Sequence, residues 1–203
     1  SIPVAYLVGR ASRGVDLRKF GSGNVGASNL IKAKASKRWV VPVGLWDLGK
    51  GMAMIALARG LDFSTAAQFA VGLSTIAGHN WPLFLHFHGG RGILTSLGVI
   101  LMFSPLLGLV VVVIAFSPAA FKMLSFGVFT GLLCLPFLAY FLSDFFSIVN
   151  PRSTVAGFAL LTAVAYTKRL IGRKSSLATG LSWTEVLSNR LFLDRDIRNR
   201  KAW

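Results

Sequence analysis

From Ile93 to Phe116 the chain carries no charged residue, and Ala66–Phe87, Leu124–Leu142 and Val155–Ala165 are also free of Asp, Glu, Lys and Arg. A further apolar run, Trp39–Leu57, is interrupted by Asp47 and Lys50 alone. A bilayer core needs about 20 apolar residues per helical span and leaves no water to satisfy an exposed backbone. Runs of this kind predict an all-α integral membrane protein. The balance of residues agrees: 54% are hydrophobic and 14% charged, whereas soluble domains carry about 25% charged residues.

Charge placement orients the spans. The net charge is +15, and the basic residues cluster in Arg10–Arg38 and Lys168–Lys201. Clusters flanking apolar runs follow the positive-inside rule and have anionic lipid headgroups as their partners. No basic aromatic platform accompanies them, so nucleic acid is not expected. The single cysteine, Cys134, excludes an internal disulfide. The histidines His79, His86 and His88 lack acidic companions at ligand spacing, so no metal and no cofactor are expected.

Ile2–Gly9 is too short to span a bilayer, and the beginning of a first span is expected before Ser1; the segment does not read as a signal peptide. Between Ile93 and Phe116, Ser104-Pro105 predicts a break, because proline lacks a donor and disfavours helix before it. One kinked span or a hairpin of two elements both fit that break. Placing Arg10–Arg38, the Gly89–Gly92 stretch, Lys122 and Lys168–Lys174 on one side, with Asp144 and Arg152 opposite, selects the hairpin. The expected total is seven spans, the truncated first one included. Beyond residue 174, Trp183, Val186, Leu187 and Leu191 recur at helical spacing, predicting a C-terminal interfacial helix before the charged run Asp194–Lys201. The domain division is thus 1–174 for the membrane domain and 175–203 for a cytoplasmic tail.

Two glycine-rich loops carry the chemistry. His88-Gly89-Gly90-Arg91-Gly92 precedes a helix expected from Ile93 through Thr95 and Ser96. Glycine N–H groups, an arginine and a helix N-terminus together favour an anion. The second loop is Gly21-Ser22-Gly23-Asn24-Val25-Gly26-Ala27-Ser28-Asn29, followed by the cation Lys32. It reads as a second phosphate cradle or as a flexible surface turn. Asp47 and Lys50, at i and i+3, form either a structural ion pair or a phosphate-directed lysine with an orienting carboxylate, and Gly49 and Gly51 permit close approach. His79 is either a hydrogen-bonded structural residue or part of the site. No nucleophile elbow, P-loop or paired carboxylates occur, and no acidic residue lies five positions after any histidine.

At these residues the chain resembles the acyl-phosphate:glycerol-3-phosphate acyltransferase family, the PlsY family. The likeness runs through Ser1-Ile2-Pro3, Asp16-Leu17-Arg18-Lys19-Phe20, Gly21–Asn29, Asp47-x-x-Lys50-Gly51, Gly78-His79-x-x-Pro82 and Gly89-Gly90-Arg91-Gly92 with Thr95-Ser96-Leu97-Gly98. The resemblance implies transfer of a fatty acyl group from acyl phosphate to the 1-hydroxyl of glycerol-3-phosphate, giving lysophosphatidic acid. It also implies a bacterial inner-membrane location with the site on the cytoplasmic side. Ser22, Asn24, Ser28, Asn29 and Arg91 are then the implied catalytic residues. Gly21, Gly23, Gly26, Lys32, Asp47, Lys50, His79, Gly89, Gly90, Gly92, Thr95 and Ser96 are the implied substrate-binding residues. Membrane lipids and the two substrates are the expected partners, with no obligate protein partner. Arg91 stands where the family commonly has lysine, and Lys32 where it has arginine. The family's third motif, a basic run with histidine and asparagine, is replaced here by Ala163–Gly172, which keeps only Lys168-Arg169-Leu170. A non-catalytic or altered-acceptor relative that binds phosphorylated lipids is the second reading.

Overall fold

A computed structural model describes residues 2–33, 37–121, 123–171 and 178–199, and among them there is no strand. The chain divides into two compact units, residues 1–102 and 103–203.

The first unit begins with α1, Val4–Arg13, which stops at Gly14 in the left-handed conformation (φ 66°). Asp16 then caps a single 3₁₀ turn, Leu17–Lys19, by accepting from the Arg18 N–H (3.0 Å). After the glycine-rich loop comes the short helix α2, Ala27–Lys32. Leu17, Val25, Leu30, Val43 and Leu85 are all buried in one apolar cluster, which ties this entire N-terminal region together.

Helix α3, Val40–Gly60, has 21 residues, enough at about 1.5 Å per residue to cross a hydrocarbon core. Its buried positions, Val43, Asp47, Gly51, Ile55 and Ala58, recur every three or four residues. Asp47 therefore lies on the inward stripe, while Val41, Leu45, Trp46 and Leu57 face outward, as lipid contact requires. A turn through Asp62 leads to α4, Thr65–Asn80, capped by Ser64 Oγ accepting from the Ala67 N–H (3.3 Å). Phe69, Gly72, Ile76 and Asn80 form its buried stripe.

The span expected over Ala66–Phe87 is corrected here: the helix ends at Asn80. Trp81 precedes Pro82 and leaves helical geometry (φ −132°, ψ 63°), as the steric restriction before proline demands. A 3₁₀ turn at Leu83–Leu85 and the glycine loop fill the interval to α5, Ile93–Phe103.

The expected break at Pro105 is present. Ser104 is extended (φ −152°, ψ 100°) and buried; its Oγ accepts from the Leu107 N–H (3.4 Å) and donates to Phe146 O (3.1 Å). Helix α6, Pro105–Phe116, then packs on α7, Leu124–Phe141. A Cβ on Gly127 would strike Ala115 O, so the helices meet at backbone distance there. Pro136 interrupts the α7 ladder. It has no N–H for Leu132 O, four residues back, and Thr162 Oγ of α8, Pro151–Leu170, donates to that carbonyl instead (2.9 Å).

Helix α9, Trp183–Leu193, opens with a reciprocal cap between Ser182 and Glu185. Val186 is fully buried, and the helix packs on α7 and α8. Trp183 and Leu187 remain exposed. Arg169 Nε donates to Arg190 O (2.7 Å), and Arg190 pairs with Asp196 (2.6 Å), so buried charge staples the tail to α8.

Helices α3 and α7 are long and apolar enough to cross a membrane, while α5 and α6 are shorter apolar helices.

Candidate active site

All the motif residues expected to bind phosphate lie in the first unit. The two glycine loops meet through their backbones: the Val25 N–H donates to Gly89 O (3.3 Å). Asn29 holds the first loop in shape. It is fully buried, and its Nδ2 lies 3.1, 2.9 and 3.0 Å from the carbonyls of Leu17, Phe20 and Asn24. Two hydrogens serve three acceptors, so one is shared. Its Oδ1 accepts from the Ser22 N–H (3.4 Å). The polar atoms of Asn29 are thus occupied in forming the cradle. Gly21 and Gly23 take positive φ (55° and 69°), which the fold over the Asn29 side chain requires. Ser22, Asn24 and Gly26 are half-buried, while Ser28 and Lys32 sit exposed on α2.

Behind the second loop lies a compact polar cluster. Lys50 Nζ donates to Asp47 Oδ1 (2.7 Å) and lies 2.5 Å from His79 Nδ1. His79 Nδ1 is also 3.4 Å from Asp47 Oδ1, with both side chains about 10% exposed. Asp47 therefore engages Lys50 and His79, in place of the polar groups of the first loop. His79 sits in the last turn of α4 and holds the loop twice: its carbonyl accepts from the Gly90 N–H (3.1 Å), and its Nε2 occupies the space a Cβ on Gly90 would need. The Gly90 N–H is accordingly turned to the protein and does not face an anion.

Gly92 (φ 72°) packs against Asn80 Oδ1 and starts α5, where the Ser96 N–H donates back to Gly92 O (2.7 Å). Arg91 is half-buried between the two glycines. The Thr95 and Ser96 hydroxyls are buried and have no hydrogen-bond partner among the described residues. Of the two glycines on α3, Gly51 permits close approach, a Cβ there meeting Thr95 O, whereas Gly49 faces open space.

Two participants escape sequence reading. Asn80, buried beneath Gly92, had as its signal only a polar residue beside His79 in an apolar run. The Val25 backbone had none, because any residue could donate that bond.

Described residues of the third-motif run bond to their neighbours within the second unit. Tyr166 Oη donates to Phe129 O (2.7 Å), and Arg169 donates to Arg190 O and Ser125 O (2.7 and 3.0 Å). Gly172 of that motif, with Arg173 and Lys174, lies outside the described residues.

Apolar helices long enough to cross a bilayer, together with glycine loops packed on a buried carboxylate–lysine–histidine cluster, define an integral membrane protein. The family model described as glycerol-3-phosphate acyltransferase matches residues 1–175. Glycerol-3-phosphate acyltransferase 5 of Dehalococcoides mccartyi is 45% identical over the whole chain and 87% of its own length. The glycerol-3-phosphate acyltransferase of a Thermoanaerobacter species is 40% identical over 63% of the chain and 64% of its own length. Among solved structures, PlsY, an integral membrane glycerol 3-phosphate acyltransferase in its glycerol 3-phosphate form, superposes with a TM-score of 0.66 at 26% identity, over 82% of this chain and 84% of that one. Its lysophosphatidic acid form gives a TM-score of 0.63. The chain belongs to the glycerol-3-phosphate acyltransferase family.

Proposed function

We propose that this chain transfers a fatty acyl group from acyl phosphate to the 1-hydroxyl of glycerol-3-phosphate, releasing lysophosphatidic acid and inorganic phosphate for phospholipid synthesis. The observation that carries this reading is the junction of the two glycine loops at Val25–Gly89 over the Asp47–Lys50–His79 cluster. In a family member, that junction supports two phosphate-bearing substrates held side by side.

Acyl phosphate is already activated, so the reaction needs no enzyme nucleophile. Holding donor and acceptor in line and neutralising phosphate charge suffices. Arg91 and the N-terminus of α5 receive the leaving phosphate. Ser22, Asn24, Ser28 and Lys32 face the acceptor, in a cradle that Asn29 shapes. The hydroxyl proton passes to a substrate phosphate oxygen, in keeping with the absence of a paired carboxylate base. The chain works as a seven-span protein of the bacterial inner membrane, with these loops on the cytoplasmic side and no cofactor.

Purified protein in detergent, given a long-chain acyl phosphate and glycerol-3-phosphate, is expected to release phosphate and form lysophosphatidic acid, read by mass spectrometry. Arg91→Ala is expected to reduce turnover and donor binding together; unchanged values for both would sink its assigned role. The bonds that occupy Tyr166 and Arg169 favour one second reading, an altered acceptor. Donor binding and phosphate release with another hydroxyl compound, without acylation of glycerol-3-phosphate, would select it.

A further inference from the structure

The Asp47–Lys50–His79 cluster does more than neutralise charge inside a span. A lysine ammonium has donors only. At 2.5 Å from Lys50 Nζ, His79 Nδ1 must therefore accept. That assignment places the imidazole proton on Nε2. Nε2 seats against Gly90, where a side chain would displace it. The side chain as a whole is only 10% exposed. An N–H donor seated at the glycine loop is placed to meet an oxyanion held there.

We infer that His79 is a neutral Nε2–H donor to a phosphoryl oxygen of the acyl phosphate held at Gly89–Gly92. Lys50 is the positioning residue that sets its tautomer, and Asp47 the carboxylate that holds Lys50 in place. This rests on the acyl-phosphate reading of the loop. The alternative tautomer, with Nδ1–H donating to Asp47 Oδ1 at 3.4 Å, would turn a bare lone pair toward the phosphate and repel it. Lys50 excludes that state by occupying Nδ1.

The test is nitrogen NMR of ¹⁵N-histidine protein in detergent, in a His86→Gln/His88→Gln background that leaves His79 as the single imidazole. The expected spectrum has a pyrrole-type Nε2 and a pyridine-type Nδ1, and the Nε2–H resonance moves when inorganic phosphate or a long-chain acyl phosphate is added. A pyrrole-type Nδ1 overturns the proposal. So does an Nε2–H signal that stays fixed while phosphorus line broadening shows the ligand bound. If the ligand does not bind by either readout, the reading of the loop as a phosphate site falls and takes this one with it. Lys50→Met is expected to release the tautomer, giving an Nδ1–H population, and to lower kcat. An Nε2–H tautomer unchanged in folded Lys50→Met would reduce Lys50 to packing. His79→Gln is expected to lose about 10- to 100-fold in kcat/KM, the size of one hydrogen bond to a charged group; unaltered kinetics would overturn the donor role.

Discussion

Asn29 shows how one side chain can shape a site without reaching into it. Its amide joins three carbonyls and one N–H from four positions between Leu17 and Asn24, tying the 3₁₀ turn to the first loop. A carboxylate there would turn an acceptor oxygen toward those carbonyls and repel them inside a buried site. Asn29→Asp is therefore expected to abolish acyl transfer and lower Tm in detergent. Ser28→Ala, on the exposed turn of α2, should reduce activity with Tm unchanged; equal Tm for both variants would contradict this account. Asp16 acts at the entrance to the same loop. The Arg18 guanidinium, 3.0 and 2.7 Å from its two oxygens, lowers its pKa to about 2. An unfolded aspartate titrates near about 3.9, so the folded state binds its proton less readily. The stability this contributes is complete above about pH 4 and is lost as pH falls toward about 2. Asp16→Asn should melt lower than wild type near neutral pH and show a flatter acid limb, measured by thermal unfolding across that window.

At the scale of elements, α7 and α8 show how a membrane helix tolerates proline. Lipid offers no water to the carbonyl that Pro136 leaves without its donor, and Thr162 takes over from the neighbouring helix. Thr162→Val is expected to destabilise by about 0.5–2 kcal/mol. In a Pro136→Ala background, where Leu132 O regains an intrahelical partner, the same change should cost much less. A double-mutant cycle read by Tm or denaturant midpoint measures this coupling, and additive effects would exclude it. Glycines work the same way between helices. A Cβ on Gly98 would strike Leu48 O, and one on Gly51 would strike Thr95 O, so α3 and α5 approach at backbone distance next to the Lys50 cluster. Element boundaries were partly legible in the sequence. Pro105 announced its break, and the spacing of Trp183, Val186 and Leu191 announced α9. The end of α4 at Asn80 was harder to read, because apolar residues continue to Phe87 and their composition hides the loop that begins there.

For the whole molecule, the outward faces of the helices in both units are apolar, with Leu45, Leu57, Leu109, Val113, Phe137 and Phe141 exposed. Only a lipid surround removes such area from water. The proposed topology places Ser28 and Asp144 on opposite sides of the membrane. In a Cys134→Ser background, Ser28→Cys should react with an impermeant maleimide from the cytoplasmic side, and Asp144→Cys from the other. Labelling of both from one side would refute the hairpin at Ser104-Pro105 and the count of seven.

The sequence by itself determined that the chain is helical and resides in a membrane, because hydropathy and charge act on every residue without reference to a partner. It also announced both glycine loops, since their composition departs so sharply from the apolar runs around them. Only the tertiary structure decided what each polar residue does there. Asn29 became the clasp of its own loop, Gly51 and not Gly49 became a contact, and Lys50 met a histidine 29 positions away. Those roles depend on which atoms lie within about 3 Å of one another. Distances that short arise from the packing of separate helices, and local spacing carries no record of them.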